Sequence, residues 1–217
     1  MEKAYKGMGM EGSVARWYEK TTRRDMEEYR RVAERIAALL PEGGAVLEVA
    51  PGPGFLSVEM AKTGGLQVTG LDISRTFVDL ARRNADAVGV RVDFQQGNAS
   101  RMPFADASFD FLVCRAAFKN FSDPVGALRE MRRVLRPGAR GLIIDLRRDA
   151  SMRDINRYVD GLELSWMSAL FTKFTFRFML LKRASTQQEF AAMLRQVPFT
   201  STRIEPNAIG MEVWMEK

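Results

Sequence analysis

The stretch Ala45-Val-Leu-Glu-Val-Ala-Pro-Gly-Pro-Gly54 decides the fold of this 217-residue chain. Its first six residues form an almost continuous apolar run, interrupted only by Glu48, which is typical of a strand buried on both faces. The prolines and glycines then break the strand, and residues 55–62 return to a helical pattern of apolar spacing. A buried strand, a glycine-rich turn and a helix in this order indicate the first unit of a parallel α/β sheet.

The same alternation continues through the middle of the chain. Strands that alternate with helices of about ten to fifteen residues are typical of βαβ units, and right-handed crossovers put helices on both faces of the sheet. The prediction is a doubly wound, Rossmann-like α/β fold. The further strands are predicted at residues 66–71, 90–95, 109–114 and 140–146, and the helices between them at residues 74–88 and 124–135.

The two ends of the chain are predicted to complete one domain over residues 1–217. Residues 13–40 show the apolar spacing of one helix, and a capping-box spacing at Ser185-Gln188 or Thr186-Glu189 starts a helix at residues 186–196. The predicted parts are an N-terminal helical lid at 1–40, a cofactor-binding core at 41–149, a helical insertion after strand five at 150–197 and a closing strand pair at 198–217.

Composition excludes several classes of site. The chain has no histidine and a single cysteine, Cys114, so imidazole bases, disulfide frameworks and the common zinc sites are ruled out and no metal is expected. The net charge is +6, but basic and acidic residues are interspersed, so no nucleic-acid partner is expected. The N-terminus has no apolar run of the secretory type, and a cytoplasmic location is expected.

Glu48 helps to decide which of two kinds of ligand the glycine turn would bind. Ligands of open α/β sheets bind at the carboxyl ends of the strands, where the turn lies. A dinucleotide pyrophosphate favours a third glycine, but Ser57 occupies that position, and Glu48 would repel phosphate charge. A ligand with a cationic amino group would be attracted, and S-adenosylmethionine carries both an ammonium and a sulfonium. A glycine loop that binds no ligand stays open as the alternative.

Two further positions are candidates for contacts with a nucleoside. Asp72 follows Gly54 by 18 residues, close to the interval at which an acid reaches a ribose diol, although it could instead cap the helix near Ser74. The amide of Asn98, together with the backbone N–H of Ala99, could contact an adenine edge.

Taken together, these motifs resemble the class I S-adenosylmethionine-dependent methyltransferases of the ubiquinone-biosynthesis-like, small-molecule type. The resemblance covers about residues 45–146 and implies a seven-stranded, mostly parallel sheet whose last strand is antiparallel. It implies cofactor contacts from Glu48, Ala50, Gly52, Gly54, Asp72, Ile73, Asn98 and Ala99. The motifs that carry it are Val46-Leu-Glu-Val-Ala-Pro-Gly-Pro-Gly54, Gly70-Leu-Asp-Ile-Ser74, Gly97-Asn-Ala-Ser-Arg-Met-Pro-Phe104 with Ser108-Phe-Asp110, and Glu130-Met-Arg-Arg-Val-Leu-Arg-Pro-Gly138.

The sequence departs from the family pattern at two of these positions. Ala50 stands where the family commonly has its first glycine, which is tolerable if the φ of Ala50 is negative. Asn98 replaces the usual aspartate, so it can accept a hydrogen bond from adenine without a charge. A modest weakening of cofactor binding is expected from this second change.

Candidate residues for the acceptor side follow the fourth strand and flank the core. Arg115 or Lys119 could bind a carboxylate or phosphate, or pair with acids such as Asp123, and Asn120 lies beside them. Arg115 is also a candidate for cofactor contact. Tyr18 could cover the cofactor as part of the lid, or Trp17 and Tyr18 could only attach the first helix to the body. The candidates for catalysis are Tyr18, Arg115 and Lys119.

The aromatic stretch after strand five has several interpretations. Tyr158 and Trp166 are candidate acceptor contacts, although a helix packed on the core would show the same pattern. Residues 165–188 contain four basic residues and no acid, which could favour an anionic membrane surface, an acidic substrate or a homodimer. The basic residues are Lys173, Arg177, Lys182 and Arg183.

The hypothesis from sequence is therefore methyl transfer from S-adenosylmethionine to a small hydrophobic or aromatic molecule. RNA methylation is an alternative suggested by the net charge of +6. A cofactor-binding module without catalysis is the alternative from another class of function.

Overall fold

The computed structural model describes residues 5–6, 9–161 and 181–217. Its centre is a seven-stranded sheet with the strand order β3-β2-β1-β4-β5-β7-β6. Strands β1 to β5 pair in parallel, and β7 runs antiparallel to both of its neighbours, as predicted. The strands are β1 (Gly44–Val49), β2 (Leu66–Asp72), β3 (Asp93–Gln96), β4 (Phe109–Arg115), β5 (Leu135–Leu146), β6 (Ser201–Pro206) and β7 (Gly210–Glu216).

Helices cover both faces of the sheet, which confirms the doubly wound prediction. Helices α2 and α3 pack on one face, in a core that includes Val46 and Phe111. Helices α5 and α7 pack on the other face, in a core that includes Leu47 and Leu112. The helices are α1 (Gly12–Thr22), α2 (Met26–Ala37), α3 (Phe55–Lys62), α4 (Arg75–Asp86), α5 (Pro124–Val134), α6 (Met152–Asp160) and α7 (Gln187–Leu194).

The first strand has the burial that its apolar run predicts. Successive side chains of a strand alternate between faces, so Val46 and Glu48 point to the α2–α3 face while Leu47 and Val49 point to the other. Glu48 is thus placed among apolar side chains and is only 3% exposed. The fold therefore holds a carboxylate at the end of its central strand.

Two predicted elements differ from the structure by more than three residues, and a third is described only in part. Residues 13–40 form two helices, separated by a 3-10 turn at Arg23–Asp25, so that α1 packs on α4 while α2 packs on α3. Strand β5 begins at Leu135, five residues before its predicted start. Of the helical insertion predicted at residues 150–197, the structure describes α6, a short turn at Leu181–Arg183 and α7, and Trp166 lies outside the described residues.

Candidate active site

The candidate site lies where the strand order changes direction. Strand β1 has β2 on one side and β4 on the other, and ligands of open α/β sheets bind at the carboxyl ends of such strands. Here the backbone N–H of Gly52 donates to Asp72 Oδ2 at 2.9 Å, joining the turn after β1 to the end of β2. The N–H of Ala50 donates to the Leu71 carbonyl at 2.7 Å. The glycine turn and Asp72 are therefore one hydrogen-bonded unit.

The backbone of the turn is left-handed at three positions. Ala50 has a φ of 57°, Gly52 of 57° and Gly54 of 78°. The condition under which alanine is tolerated without strain, a negative φ, is therefore not met at Ala50. A non-glycine residue in this region carries a conformational cost of about 1–2 kcal/mol.

The two glycines of the turn have different surroundings. A Cβ at Gly54 would lie 2.7 Å from the Ala81 Cβ and 2.8 Å from the Phe94 Cζ, so α3 could not pack against α4 and β3. A Cβ at Gly52 would find its nearest described atom, Tyr18 Cε1, at 3.8 Å. Gly54 is thus required by packing, whereas Gly52 leaves room under Tyr18 for a ligand to approach the backbone.

Glu48 has the properties expected of a partner for a cation. Its Oε2 accepts a hydrogen bond from the Ser57 hydroxyl at 2.5 Å. Burial raises the pKa of Glu48 to about 7, although the Ser57 hydrogen bonds and the charge of Arg115 act in the opposite direction. A positive group beside a desolvated carboxylate stabilises its charged form. The residue therefore fits the ammonium of S-adenosylmethionine.

Asp72 fits a contact with a diol. Its Oδ1 accepts from the Ser74 N–H at 2.8 Å and its Oδ2 from Gly52, and a carboxylate oxygen can accept more than one hydrogen bond. Burial raises the pKa of Asp72 to about 6, while these backbone hydrogen bonds lower it. The alternative role of Asp72 as helix cap is not observed, because the Ser74 hydroxyl caps α4 by accepting from the Phe77 N–H.

The positions implied for adenine lie beside Asp72. Ile73 is 38% exposed at this edge, which leaves an apolar side chain open to a flat ring. The Gly97 N–H donates to the Asp72 carbonyl at 2.9 Å and holds the next turn close. In that turn, Asn98 Oδ1 accepts from the Ser100 N–H at 2.9 Å, which fixes the orientation of the amide next to Ala99.

The N-terminal segment is attached to α4 at both ends of α1. Glu11 accepts hydrogen bonds from the N–H groups of Arg75 and Thr76, each at 3.1 Å. Farther along, Glu19 accepts from Asn84, whose amide also donates to the Pro53 carbonyl of the glycine turn. Sequence reasoning missed Glu11 and Asn84, because a single acid before a helix and an asparagine within one have no distinguishing pattern.

Tyr18 combines the two roles that the sequence left open. Its ring makes an edge contact with Phe77 on α4, with 5.8 Å between centroids, so it does attach the first helix to the body. The same ring faces the open side of Gly52. Trp17 does not attach the helix in this way, because it is 66% exposed.

The two basic candidates, one at the end of β4 and one just after it, have acidic partners other than Asp123. Arg115 Nη2 lies 2.9 Å from Glu28 Oε1 on α2. Lys119 Nζ lies 2.8 Å from Asp145 Oδ1 in a buried ion pair, and the Lys119 N–H also donates to Asp145. Asp123 instead caps α5 by accepting from the Gly126 N–H.

Two acidic residues that sequence reasoning missed act on the candidate Tyr158. Asp25 is the last residue of the bend between α1 and α2, and Glu28 lies on α2. Burial raises the pKa of Tyr158 on α6, and the charges of these two acids raise it further. The charge of Arg115 acts on both Asp25 and Tyr158. A helix such as α2, in which acidic and basic residues alternate, is typical of a solvated surface. Its sequence therefore did not indicate a functional role for these two acids.

Asn120 contacts the N-terminal segment through its backbone. Its carbonyl accepts from the Lys6 N–H at 2.8 Å, and Tyr5 forms a bridge with Phe121. The segment around Tyr5 therefore reaches the end of β4, while α1 covers the end of β1.

Other features of the described residues lie outside this site. No group of three acidic or cysteine side chains among them could hold a metal ion. A groove of about 700 Å³ between β2, β3 and α4 opens near Leu66, where β2 begins, and so lies away from the glycine turn. Within the described ranges, no helix combines the length and apolarity that crossing a membrane requires.

A seven-stranded sheet with β7 reversed and a glycine turn at the switch point defines the fold of the class I methyltransferases. Residues 47–143 match a family model described as a methyltransferase domain. A protein from Methanococcus maripaludis, proposed to be an S-adenosyl-L-methionine-dependent methyltransferase, superposes with a TM-score of 0.76 at 20% identity, covering 97% of each chain. That likeness concerns the fold alone.

The family assignment rests on similarity to curated relatives. A demethylmenaquinone methyltransferase from Chlorobaculum parvum is 31% identical over 187 residues, 82% of this chain and 76% of the relative. Another from Deinococcus radiodurans is 37% identical over 122 residues, 56% of this chain and 51% of the relative, so the match spans about half of that protein's length. The chain belongs to the class I S-adenosylmethionine-dependent methyltransferases that act on small molecules.

Proposed function

We propose that this protein transfers the methyl group of S-adenosylmethionine to a small hydrophobic or aromatic acceptor, with reduced quinones as the first class to test. The observation that carries the proposal is the buried Glu48 beneath an open glycine turn, at the switch point of a methyltransferase fold. The quinone class is suggested by the names of two relatives, both demethylmenaquinone methyltransferases.

The proposed cofactor contacts follow the carboxyl edge of the sheet from β1 to β3. Glu48 binds the ammonium, Gly52 lets the backbone approach the methionine chain, and Asp72 accepts hydrogen bonds from the ribose. Ala50 and Gly54 hold the turn in its left-handed shape, as their φ angles of 57° and 78° support. Ile73, Asn98 and Ala99 form the adenine side of the site.

The proposed work of the protein is orientation and the exclusion of water. When bound, S-adenosylmethionine supplies a methyl group on a sulfonium, and its thioether product is neutral. Tyr18 covers the turn, and burial raises its pKa above the ordinary value of 10, so near pH 7 it is a hydrogen-bond donor and not a base. Lys119 is held by Asp145, and we assign it to positioning the turn at Phe118–Asn120.

The remaining expectations about partners belong to the same proposal. Tyr158 and Asn120 border the acceptor, while the proposed contact from Trp166 lies outside the described residues. A cytoplasmic location, a homodimer and peripheral membrane contact through residues 165–188 are predictions. Sedimentation and flotation with anionic vesicles would test the last two.

The test begins with binding of the product S-adenosylhomocysteine, measured by calorimetry. We expect Gly52→Val and Asp72→Ala to abolish binding without changing the circular dichroism spectrum. Gly64→Val is the matched control, because Gly64 has a φ of 79° and open space around its Cα but lies in the loop before β2. Unchanged affinity in both site variants would refute the assignment of the site.

Turnover distinguishes the proposal from its alternatives. We expect a methylated product, detected by its mass, with at least one member of a panel of reduced naphthoquinones, phenols, amines and thiols. Binding without turnover of any member would indicate a non-catalytic module. Tight tRNA binding with a steep salt dependence would indicate RNA methylation instead.

A further inference from the structure

Helix α1 divides its side chains between an inward and an outward face. Ala15 is fully buried and the Tyr18 ring contacts α4, so these two residues mark the side that packs on the body. Because successive residues of a helix are rotated by about 100°, Arg16, Trp17 and Lys20 lie on the opposite side. All three are exposed. The outward face of α1 therefore combines one large aromatic side chain with two cations.

Trp17 is the most exposed of the large hydrophobic side chains in the described ranges. Its exposed fraction is 66%, whereas that of the next, Val88, is 49%. A single exposed apolar side chain is ordinary on a soluble protein, but a tryptophan within a cationic helical surface is typical of helices that lie on a membrane. The indole ring favours the level of the lipid headgroups because it is both apolar and a hydrogen-bond donor.

Three cations surround Trp17 on this surface. Arg16 precedes it, Lys20 lies one turn farther along α1, and Arg24 follows one turn later in the 3-10 turn. All three are exposed, and none forms an ion pair with an acid in the part of the chain that the structure describes. The outward face therefore carries three positive charges that are available to an external partner.

The acids of the same segment face the body of the protein instead. Glu11 accepts a hydrogen bond from the Thr76 N–H of α4 at 3.1 Å. Glu19 accepts from the side-chain amide of Asn84, also on α4, at 3.0 Å. Positive charge is therefore segregated on the outward side of α1, as attraction to an anionic surface requires.

The shape and chemistry of this face select its partner. It is the convex side of one helix, whereas single-stranded nucleic acids are bound in charged grooves with several stacking aromatic residues. One tryptophan among cations fits a bilayer that contains anionic lipids, where the indole inserts at headgroup level and the basic side chains contact phosphates. We infer that the outward face of α1, formed by Arg16, Trp17, Lys20 and Arg24, docks the protein on an anionic membrane surface.

Docking through this face brings the candidate site to the membrane. Tyr18 follows Trp17 in α1, and its ring lies beside the open side of Gly52 in the glycine turn. A hydrophobic acceptor concentrates in a bilayer, so docking holds the protein at the source of the proposed acceptor. The inference does not depend on that acceptor, because membrane binding is measured without acceptor or cofactor.

Sedimentation with vesicles of equal parts phosphatidylglycerol and phosphatidylcholine tests the inference. We expect the wild type to bind these vesicles, to bind pure phosphatidylcholine at least about tenfold more weakly, and to lose affinity as salt is added. Each basic residue near an anionic surface strengthens binding about fivefold. The triple variant Arg16→Gln, Lys20→Gln and Arg24→Gln should therefore bind about 100-fold more weakly. Trp17→Ala should bind about tenfold more weakly, because it loses the apolar area that inserts.

The matched control removes three exposed cations from other elements. Arg91 precedes β3, Arg129 lies on α5 and Arg195 follows α7, and none of them has an ion pair within the described ranges. Replacing these three with glutamine lowers the net charge of +6 by the same three units. Because surface charges act over about one Debye length, vesicle binding should stay within about twofold of the wild type. All variants should bind S-adenosylhomocysteine as the wild type does.

Four outcomes would overturn the inference while leaving the proposed methyl transfer intact. Absence of wild-type binding to the anionic vesicles would refute membrane docking itself. Wild-type binding by both the triple variant and Trp17→Ala would move the contact to another surface, such as residues 165–188. Equal losses in the triple variant and its control would make binding an effect of net charge. Binding of tRNA but not of vesicles, lost in the triple variant, would make this face a nucleic-acid surface.

Discussion

At the scale of single residues, backbone strain is concentrated at the candidate site. In the described ranges, the alanines with positive φ are Ala50 at 57°, Ala107 at 53° and Ala116 at 57°. Ala50 follows β1 and Ala116 follows β4, so two of the three lie at the edge that carries Glu48 and Arg115. Strained residues often cluster where a structure must present groups to a ligand.

Replacing Ala50 with glycine should therefore stabilise the protein. Glycine adopts a positive φ freely but loses more entropy on folding, so we expect the free energy of unfolding to rise by about 0.5–1 kcal/mol. Urea unfolding measures this change. Ala107→Gly, in the loop before β4, should give a similar gain without affecting cofactor affinity. A lower stability for Ala50→Gly would show that its methyl group makes contacts worth more than the strain.

The ion pairs of Arg115 and Lys119 show which features of the site could be predicted from sequence and which could not. The position of these two residues near the end of β4 was predicted to within one residue, since strand ends can be read from apolar runs, although Arg115 is the last residue of the strand. Their ion pairs were not, because Glu28 is far away in sequence and Asp145 is at the end of a neighbouring strand. The proximity of Asp123 in sequence was misleading, because a residue just before a helix uses its side chain as a cap.

The raised pKa of Glu48 predicts a pH dependence of binding. Its pKa of about 7 lies above the ordinary 4.5, so an ammonium ligand must displace a proton at pH 6 and none at pH 8. Affinity for S-adenosylhomocysteine should rise with pH by up to about tenfold per unit below 7 and level off above it. The groups that act on Glu48 are Ser57, Arg115 and Asp72, and Asp72, with a pKa of about 6, adds to the dependence at lower pH.

Calorimetry in buffers of different ionisation enthalpy measures the proton released. Glu48→Gln should bind more weakly and lose the dependence between pH 6.5 and 8. For the ligand-free protein the sign is the reverse: between pH 4.5 and 7 the folded state keeps a proton that the unfolded state has lost, so stability falls as pH rises. A pH-independent affinity in the wild type would contradict the assignment of Glu48.

At the scale of elements, predictions succeeded where a proline, glycine or cap marks a boundary. Helix α3 begins and ends at the predicted residues, because Gly54 precedes it and the apolar pattern is regular. The bend at Arg23–Asp25 was missed, since it contains neither glycine nor proline. The start of β5 was missed because Pro137 and Gly138, residue types that usually end a strand, lie inside this one. They lie where the register with β4 shifts.

The contacts of Glu11 predict that this residue holds helix α1 against α4. Glu11 accepts from Arg75 and Thr76 at the N-terminus of α4, as a cap from outside the helix would. We expect Glu11→Ala to speed hydrogen exchange in α1 and to increase the dissociation rate of S-adenosylhomocysteine several-fold. The loss of global stability should be within the range of a cap, about 0.5–2 kcal/mol.

The control for this variant is Glu34→Ala, an exposed acid on α2. It should leave both the exchange of α1 and the dissociation rate unchanged. Faster exchange throughout the chain in Glu11→Ala would show that Glu11 stabilises the whole fold and not the attachment of α1.

At the scale of the whole molecule, the sheet was more predictable than the acceptor side. The order of the glycine turn, Asp72 and the segment around Asn98 along the chain carried the resemblance to the family, and that resemblance implied the seven strands and the reversed last strand. We propose that the acceptor lies beside Tyr158 of α6 and Asn120, and local sequence patterns do not encode the long-range packing that shapes such a pocket. A methyltransferase fold therefore does not identify the acceptor.

The packing of the core predicts that the chain unfolds as one unit. One apolar cluster joins Leu47 of β1, Leu128 of α5, Phe190 of α7 and Val213 of β7, so the closing strands share their core with the cofactor side. We expect one calorimetric transition, shifted as a whole by S-adenosylhomocysteine. At 100 times its dissociation constant, the ligand adds about 2.7 kcal/mol, or roughly 5–10 °C for a chain of this size. Two transitions, of which only one moved with ligand, would show that the predicted single domain of residues 1–217 is wrong.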